Sequence, residues 1–105
     1  MAIGLGLLLT NQTKALMSLF KPGQIVATPA AIAFCEEHQV NPLLLIGKHM
    51  GGDWGDLSKE DVAANVHAIQ HDERVVSVYR MHGDKLFCIT EWDRSVTTLL
   101  MLCEY

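Results

Sequence analysis

The chain has 105 residues, half of them apolar, and twelve acidic against eight basic side chains give it a formal charge of −4. A chain of this length fits one domain, whose two-layer core needs neither disulfides nor metal. A negative charge without a basic cluster argues against binding to the phosphate backbone, so we do not expect a nucleic-acid partner.

The three cysteines, Cys35, Cys88 and Cys103, are far apart and have apolar neighbours. This pattern predicts buried thiols in a reducing compartment and therefore a cytoplasmic protein. The apolar stretch 1–9 is too short to span a bilayer and no basic residue precedes it, so we expect no membrane contact. We expect it to be a strand or an arm that packs on another subunit.

Residues 1–22 are predicted to form an N-terminal arm with a short helix ending at Phe20, ahead of a single domain over residues 23–105. Thr28-Pro29 and Asn41-Pro42 each place a capping residue before a proline, which predicts helices over residues 29–39 and 43–50. Ser58, with Asp61 three residues later, predicts a third helix over residues 59–71.

In the third helix, Val62, Val66 and Ile69 are predicted to face the core and Asn65 to look outward. The apolar pattern then changes period and predicts strands over residues 75–81, 86–90 and 96–103, with a short strand at 24–27. Together these elements predict an α+β fold. We expect a three- to four-stranded, mainly antiparallel sheet with three helices packed on one face, plus the N-terminal arm.

The predicted strands are apolar on both faces, as neighbouring pairs such as Phe87-Cys88 and Leu99-Leu100 show. A sheet with one wet face should instead alternate apolar and polar residues. Something must therefore cover the second face: the N-terminal arm, the strand at 24–27, or a second copy of the protein. A second copy would give the largest cover, so we predict a homodimer.

The regular pattern is interrupted at residues 51–61, where three glycines lie beside Asp53, Trp54 and Asp56. Glycines let the backbone approach a partner closely, so this loop is a candidate ligand site. The alternative is a rigid connection between helices with Trp54 inserted into the core. The second interpretation is favoured because aromatic side chains in short connections more often pack than bind.

A second polar segment, residues 91–95, carries Glu91, Asp93 and Arg94. The two acids would share one face of a continuing strand and, with Arg94, form a possible site. The favoured alternative is that Asp93 caps the turn and Arg94 pairs with an aspartate of the glycine loop. In either case we expect the loop and the turn to meet. The candidate binding cluster comprises Asp53, Trp54, Asp56, Asn65, Glu91, Asp93 and Arg94.

Four of these residues are carboxylates, with which a hydrolase mechanism could be written. No nucleophile elbow, phosphate loop or fixed histidine partner accompanies them, so an enzyme is the less favoured class. His67 and His71 have the spacing of metal ligands but no third ligand set, and we therefore expect neither a metal nor a cofactor.

The stretches 23–29, 52–57 and 89–98, together with Glu60-Asp61 and Asn65, resemble a family of short bacterial proteins carried on plasmids, integrative elements and similar mobile DNA. The resemblance covers roughly residues 23–105. Members are described as plasmid-related or as a type I restriction enzyme M subunit. The second description implies a methyltransferase, but the chain has neither a glycine-rich cofactor loop after a strand nor a tetrapeptide of the Asn-Pro-Pro-Tyr kind.

The resemblance thus implies a mobile-element context. We expect an accessory protein that acts by binding a host or mobile-element protein. A small-molecule-binding module and a minor hydrolase remain the alternatives, and the shape of the site distinguishes them. A deep apolar cavity would favour the ligand module, clustered acids the hydrolase, and a flat exposed patch the protein-binding function.

Overall fold

The computed structural model describes residues 18–105. Within this range the α+β prediction is confirmed, with three helices on one face of a four-stranded sheet. Residues 1–17, most of the predicted arm, lie outside the described residues. The elements in chain order are β1 (Gln24–Ala27), α1 (Pro29–Glu37), α2 (Pro42–Gly51), α3 (Lys59–His71), β2 (Val75–Met81), β3 (Asp84–Thr90), β4 (Val96–Met101) and a 3₁₀ turn (Leu102–Glu104).

All three helices begin where the sequence predicts, because a capping side chain accepts a hydrogen bond from the first turn. The acceptors are Thr28, Asn41 and Ser58, with distances of 3.1, 3.0 and 3.1 Å to the backbone nitrogens. These bonds satisfy amide groups that have no partner inside the helix. Helix α1 ends two residues earlier than the predicted residue 39.

The strand order is β1-β4-β3-β2, with antiparallel pairs β4/β3 and β3/β2 and a parallel pair β1/β4. Strand β1 therefore widens the sheet and does not cover its second face. Strand β4 is shorter than predicted because the Glu104 carboxylate accepts hydrogen bonds from the Met101 backbone (2.8 Å) and the Thr28 hydroxyl (2.7 Å), which fixes the 3₁₀ turn. The turn places Cys103 at the surface, contrary to prediction, whereas Cys35 and Cys88 are buried as expected.

Alternate strand residues point toward the helices and form the core with them. Tyr79, Leu86, Cys88, Leu99 and Met101 pack against Ala31, Cys35, Leu45 and Ile46, and a second cluster joins Trp54, Ala68 and Val75. None of the helices among the described residues is long and apolar enough to cross a membrane.

The predicted inward stripe of α3 is correct at Ile69, which packs against the Trp54 cluster, and wrong at Val62 and Val66. Val62 and Val66 are 40% and 47% exposed, whereas Asn65 is buried. The reason is that Asn65 has a partner the helix pattern does not reveal: its amide donates to the Val76 carbonyl (2.8 Å) and accepts from the Val76 N–H (3.1 Å). Asn65 thus satisfies both backbone groups of an edge-strand residue, as a neighbouring strand would.

The next residue of β2 whose backbone groups point away from the sheet is Val78, and the glycine loop supplies their hydrogen-bond partners. Val78 donates to the Trp54 carbonyl (3.0 Å) and accepts from the Asp56 N–H (2.8 Å). Gly55 makes this approach possible, because it has a φ of 77° and a methyl group at its Cβ position would overlap the Val78 carbonyl. Asn65 and the loop together occupy the outward backbone groups of Val76 and Val78.

Candidate functional site

The glycine loop is a structural connection, as the favoured interpretation predicts. Trp54 is buried and its indole N–H donates to the His49 carbonyl at 2.9 Å. The Asp53 carbonyl accepts the Tyr79 hydroxyl at 2.7 Å, and burial raises the Tyr79 pKa well above its usual value. The loop is therefore fixed on three sides, by α2, by Tyr79 and by the edge of β2.

Arg94 does not pair with an aspartate of this loop, so that prediction is wrong. Its guanidinium donates to four backbone carbonyls, at Glu73 (2.6 Å), Glu91 (3.0 Å), Trp92 (3.3 Å) and Ala68 (3.0 Å). The Ala68 carbonyl lies in the last turn of α3 and also accepts from the Asp72 and Glu73 backbone N–H groups. Carbonyls at a helix C-terminus favour a cation. Arg94 therefore ties the β3–β4 turn to the end of α3 and the loop that follows it.

The two acids of the β3–β4 turn, Glu91 and Asp93, have different hydrogen-bond partners. Strand β3 ends at Thr90, so the premise that Glu91 and Asp93 share one strand face is wrong. Glu91 accepts a hydrogen bond from Arg74 at 3.2 Å. Asp93 caps the turn as predicted, accepting from the Ser95 backbone at 3.0 Å, and hydrogen bonding from Ser95 lowers the Asp93 pKa.

The predicted cluster is thus not assembled as one hydrogen-bonded site. Among the described residues, no hydrogen bond or ion pair joins the glycine loop to the β3–β4 turn. Asp56 faces Arg80 at 3.5 Å instead. Phe20 connects the two segments indirectly, because it packs against the Trp54 cluster and lies under the Arg94 guanidinium at 5.7 Å. Because the carboxylates are dispersed among different partners, the arrangement offers no acid–base pair for hydrolysis.

A buried polar chain that sequence reasoning missed lies between α2 and the sheet. His49 is fully buried, and its ring contacts the Ser77 hydroxyl through Nδ1 (2.6 Å) and the Thr90 hydroxyl through Nε2 (2.9 Å). The chain continues from Thr90 to Thr97 (2.6 Å) and ends at the Pro22 carbonyl (2.7 Å). No sequence signal marks it, because the four polar residues come from four separate elements.

The terminal carbonyl fixes the direction of three of the four bonds in this chain. A carbonyl can only accept, so Thr97 donates to Pro22, Thr90 donates to Thr97, and His49 Nε2–H donates to Thr90. In a neutral ring His49 Nδ1 carries no hydrogen and accepts from the Ser77 hydroxyl. Burial lowers the His49 pKa to about 4, in agreement with this arrangement. Since all four side chains are fully buried, the chain is inaccessible to a substrate and serves the core.

The remaining histidines form exposed stacked pairs. His67 and His71 have ring centroids 3.9 Å apart, and His67 Nδ1 lies 2.9 Å from the Glu73 carboxylate. His38 stacks on His82 at 4.2 Å. Within residues 18–105, no three histidine, cysteine or acidic side chains are grouped as a metal site would require.

The best candidate for a functional surface is the sheet face opposite the helices, here called the open face. By strand alternation and register, two rows of side chains lie across it. The rows consist of Val78, Phe87 and Leu100, and of Val76, Ile89, Thr98 and Val26. Ile89 is buried, and the others are partly exposed. The sequence did signal this surface, through strands apolar on both sides.

Charged side chains flank the apolar rows at both ends. At one end, called the hairpin end, Arg80 lies directly opposite Lys85. At the other, called the turn end, Glu91 is bound to Arg74. The Tyr105 ring stacks on Phe87 with their centroids 4.7 Å apart. An open recess of about 420 Å³ lies beside the hairpin end, lined partly by Arg80, Lys85 and Leu102, and it is not a deep apolar cavity.

Comparison with known proteins finds no match: no family model, no curated protein and no solved structure matches this chain.

Proposed function

We propose that this domain is an accessory protein of mobile DNA that works in the cytoplasm by protein–protein binding, and that the open face is its binding surface. The observation that carries the proposal is the continuous apolar surface across hydrogen-bonded strands, which no helix within residues 18–105 covers. Extended apolar patches bounded by charged residues are typical of protein interfaces. The mobile-element context and the location rest on the sequence resemblance and on cysteine usage.

The helix side is a weaker candidate for the same role. Its exposed apolar residues, such as the adjacent Leu43 and Leu44 on α2 and Val66 on α3, lie on two helices and not on paired strands. Scattered exposed apolar side chains are normal on protein surfaces. The open face differs because strand pairing places its side chains in contiguous rows.

Neither alternative function is favoured by a specific observation. The recess at the hairpin end is open, whereas small-molecule sites are usually concave and largely enclosed. The carboxylates required for hydrolysis have separate partners. Two classes of protein partner remain consistent with the proposal: a second copy of this chain, and a host or mobile-element protein.

Affinity capture from the native host tests the proposal with two matched variants. Leu100→Asp introduces a charge into the open face, and Leu44→Asp introduces the same charge on an exposed position of α2. Wild type and Leu44→Asp should retain the same protein, and Leu100→Asp should lose it. The retained protein is then purified, and its binding to the three chains is measured directly.

Equal capture by all three chains would overturn the proposal, as would the absence of any specifically bound protein. Urea unfolding of each variant shows whether a loss reflects the surface or the fold. Leu100 is only partly buried, so the folded domain should tolerate the substitution at a modest cost.

A further inference from the structure

On the basis of the proposed function, we propose that the partner of the open face is a second copy of this chain. The two sheets stack face to face with their strands antiparallel, so that the hairpin end of each copy lies over the turn end of the other. Each apolar row then covers the other row of the partner.

The hairpin end carries an uncompensated positive charge on the open face. Arg80 and Lys85 are directly opposed on neighbouring strands, an arrangement that is unfavourable in isolation. Arg80 reaches the Asp56 carboxylate at 3.5 Å, but within residues 18–105 no carboxylate lies within ion-pair distance of Lys85. Asp84, the nearest acid along the chain, pairs with Met81 and so belongs to the helix face.

The turn end carries no such excess of positive charge. Glu91 is bound to Arg74, and its side chain remains 32% exposed. Asp93, which is exposed, and Arg94 follow in the turn. The hairpin end of the open face therefore carries two cations, whereas acids and bases balance at the turn end.

This polarity selects between the two ways in which identical faces can meet about a two-fold axis. An axis along the strands would place hairpin end on hairpin end and bring four cations together. An axis across the strands reverses one copy and brings Lys85 toward the partner's Glu91. Like charges across an interface are strongly disfavoured, so the second arrangement is selected.

The size of the open face sets the expected affinity of the dimer. Four strands about 4.8 Å apart and about seven residues long, at about 3.3 Å per residue, cover roughly 19 by 23 Å. This is smaller than the roughly 800 Å² per partner of a standard stable interface. We therefore expect a reversible dimer with a dissociation constant in the micromolar range.

Sedimentation or light scattering of the full chain from about 1 to 200 μM tests the dimer and its orientation. Wild type and Leu44→Asp should dimerise with similar constants, and Leu100→Asp should remain monomeric. Lys85→Glu, which opposes an acid to the partner's Glu91, should weaken the dimer about tenfold. Lys85→Glu combined with Glu91→Lys should restore most of this loss, and urea melts confirm that each variant is folded.

Three results would overturn the inference. A wild-type chain that stays monomeric at 200 μM excludes a second copy as the partner. A dimer that survives Leu100→Asp uses another surface, and a dimer strengthened by Lys85→Glu has the other orientation. The proposed function can survive the failure of this inference: if the wild type is monomeric and Leu100→Asp still abolishes capture of a different protein, the open face binds that protein instead.

Discussion

Removing the Arg94 guanidinium should destabilise the domain far more than its position in a surface turn suggests. Two of the four accepting carbonyls, those of Ala68 and Glu91, are partly buried, and the other two are exposed. Water can replace the exposed bonds. Each partly buried bond to a charged donor contributes about 1 kcal/mol after allowance for solvent, and the Phe20 contact adds roughly 0.5 kcal/mol. We therefore expect Arg94→Ala to lower the free energy of unfolding by about 2 to 3 kcal/mol.

A second substitution separates the side chain from the backbone. Arg94 has a φ of 60°, in the left-handed region that favours glycine. Alanine retains this strain, whereas Arg94→Gly removes the same hydrogen bonds and relieves about 1 kcal/mol of it. The glycine variant should therefore be the more stable of the two.

Urea unfolding followed by circular dichroism measures these differences, with Arg80→Ala as the control. Arg80 is also an arginine beside a carboxylate, but it is exposed and its ion pair is long, so its loss should cost under about 1 kcal/mol. Equal stabilities for Arg94→Ala and Arg80→Ala would refute the assignment of Arg94 as a clamp. So would an alanine variant more stable than the glycine variant, because the backbone argument would then fail.

Three further predictions concern the core and the outer edge of β2. Because the folded-state pKa of His49 is lowered from 6.5 to about 4, its contribution to stability is complete above about pH 6.5 and is lost as the pH falls. Unfolding measured at pH 7 and pH 4 should show a loss on the order of 3 kcal/mol, and a His49→Gln variant should lack this component. Asn65→Ala leaves both Val76 backbone groups without a partner and should lower stability by about 2 kcal/mol and promote association through the exposed edge, whereas the exposed control Gln70→Ala should do neither. Gly55→Ala should break the approach of the loop to β2 and cost more than about 2 kcal/mol, whereas Gly51→Ala, with open space at its Cβ position, should be neutral or stabilising in thermal melts.

The features predicted correctly from the sequence are those set by neighbouring residues. The capping pairs at Thr28, Asn41 and Ser58 located the three helix starts, because a cap acts within one turn. Strands β2 and β3 were located by their apolar residues and by the His82-Gly83 turn between them. The burial of Trp54 was also predicted, because aromatic side chains in short connections more often pack into the core than bind a ligand.

The features that the sequence did not reveal depend on partners distant along the chain. Asn65 was assigned to the outer face because helix periodicity cannot anticipate an edge strand that needs two hydrogen bonds. Arg94 was assigned a carboxylate partner because charge pairing is the simplest expectation for an arginine. Its acceptors are uncharged carbonyls: two lie in the same turn, and the other two, those of Ala68 and Glu73, are distant along the chain. The parallel pairing of β1 with β4 joins the two ends of the domain and has no local signature.

The two outer edges of the sheet differ in their free hydrogen-bonding groups, and this limits how the protein can aggregate. Asn65 and the Trp54–Asp56 backbone occupy the outward groups of Val76 and Val78 on β2, whereas β1 pairs only with β4 among the described residues. A filament built by adding strand to strand requires each molecule to offer two receptive edges, one to receive a neighbour and one to pass the pairing on. A molecule with a single receptive edge ends the growth it starts, because two such edges that meet leave nothing for a third molecule. Loss of the Asn65 side chain would reopen β2 at Val76, which is the first step toward a molecule with two receptive edges.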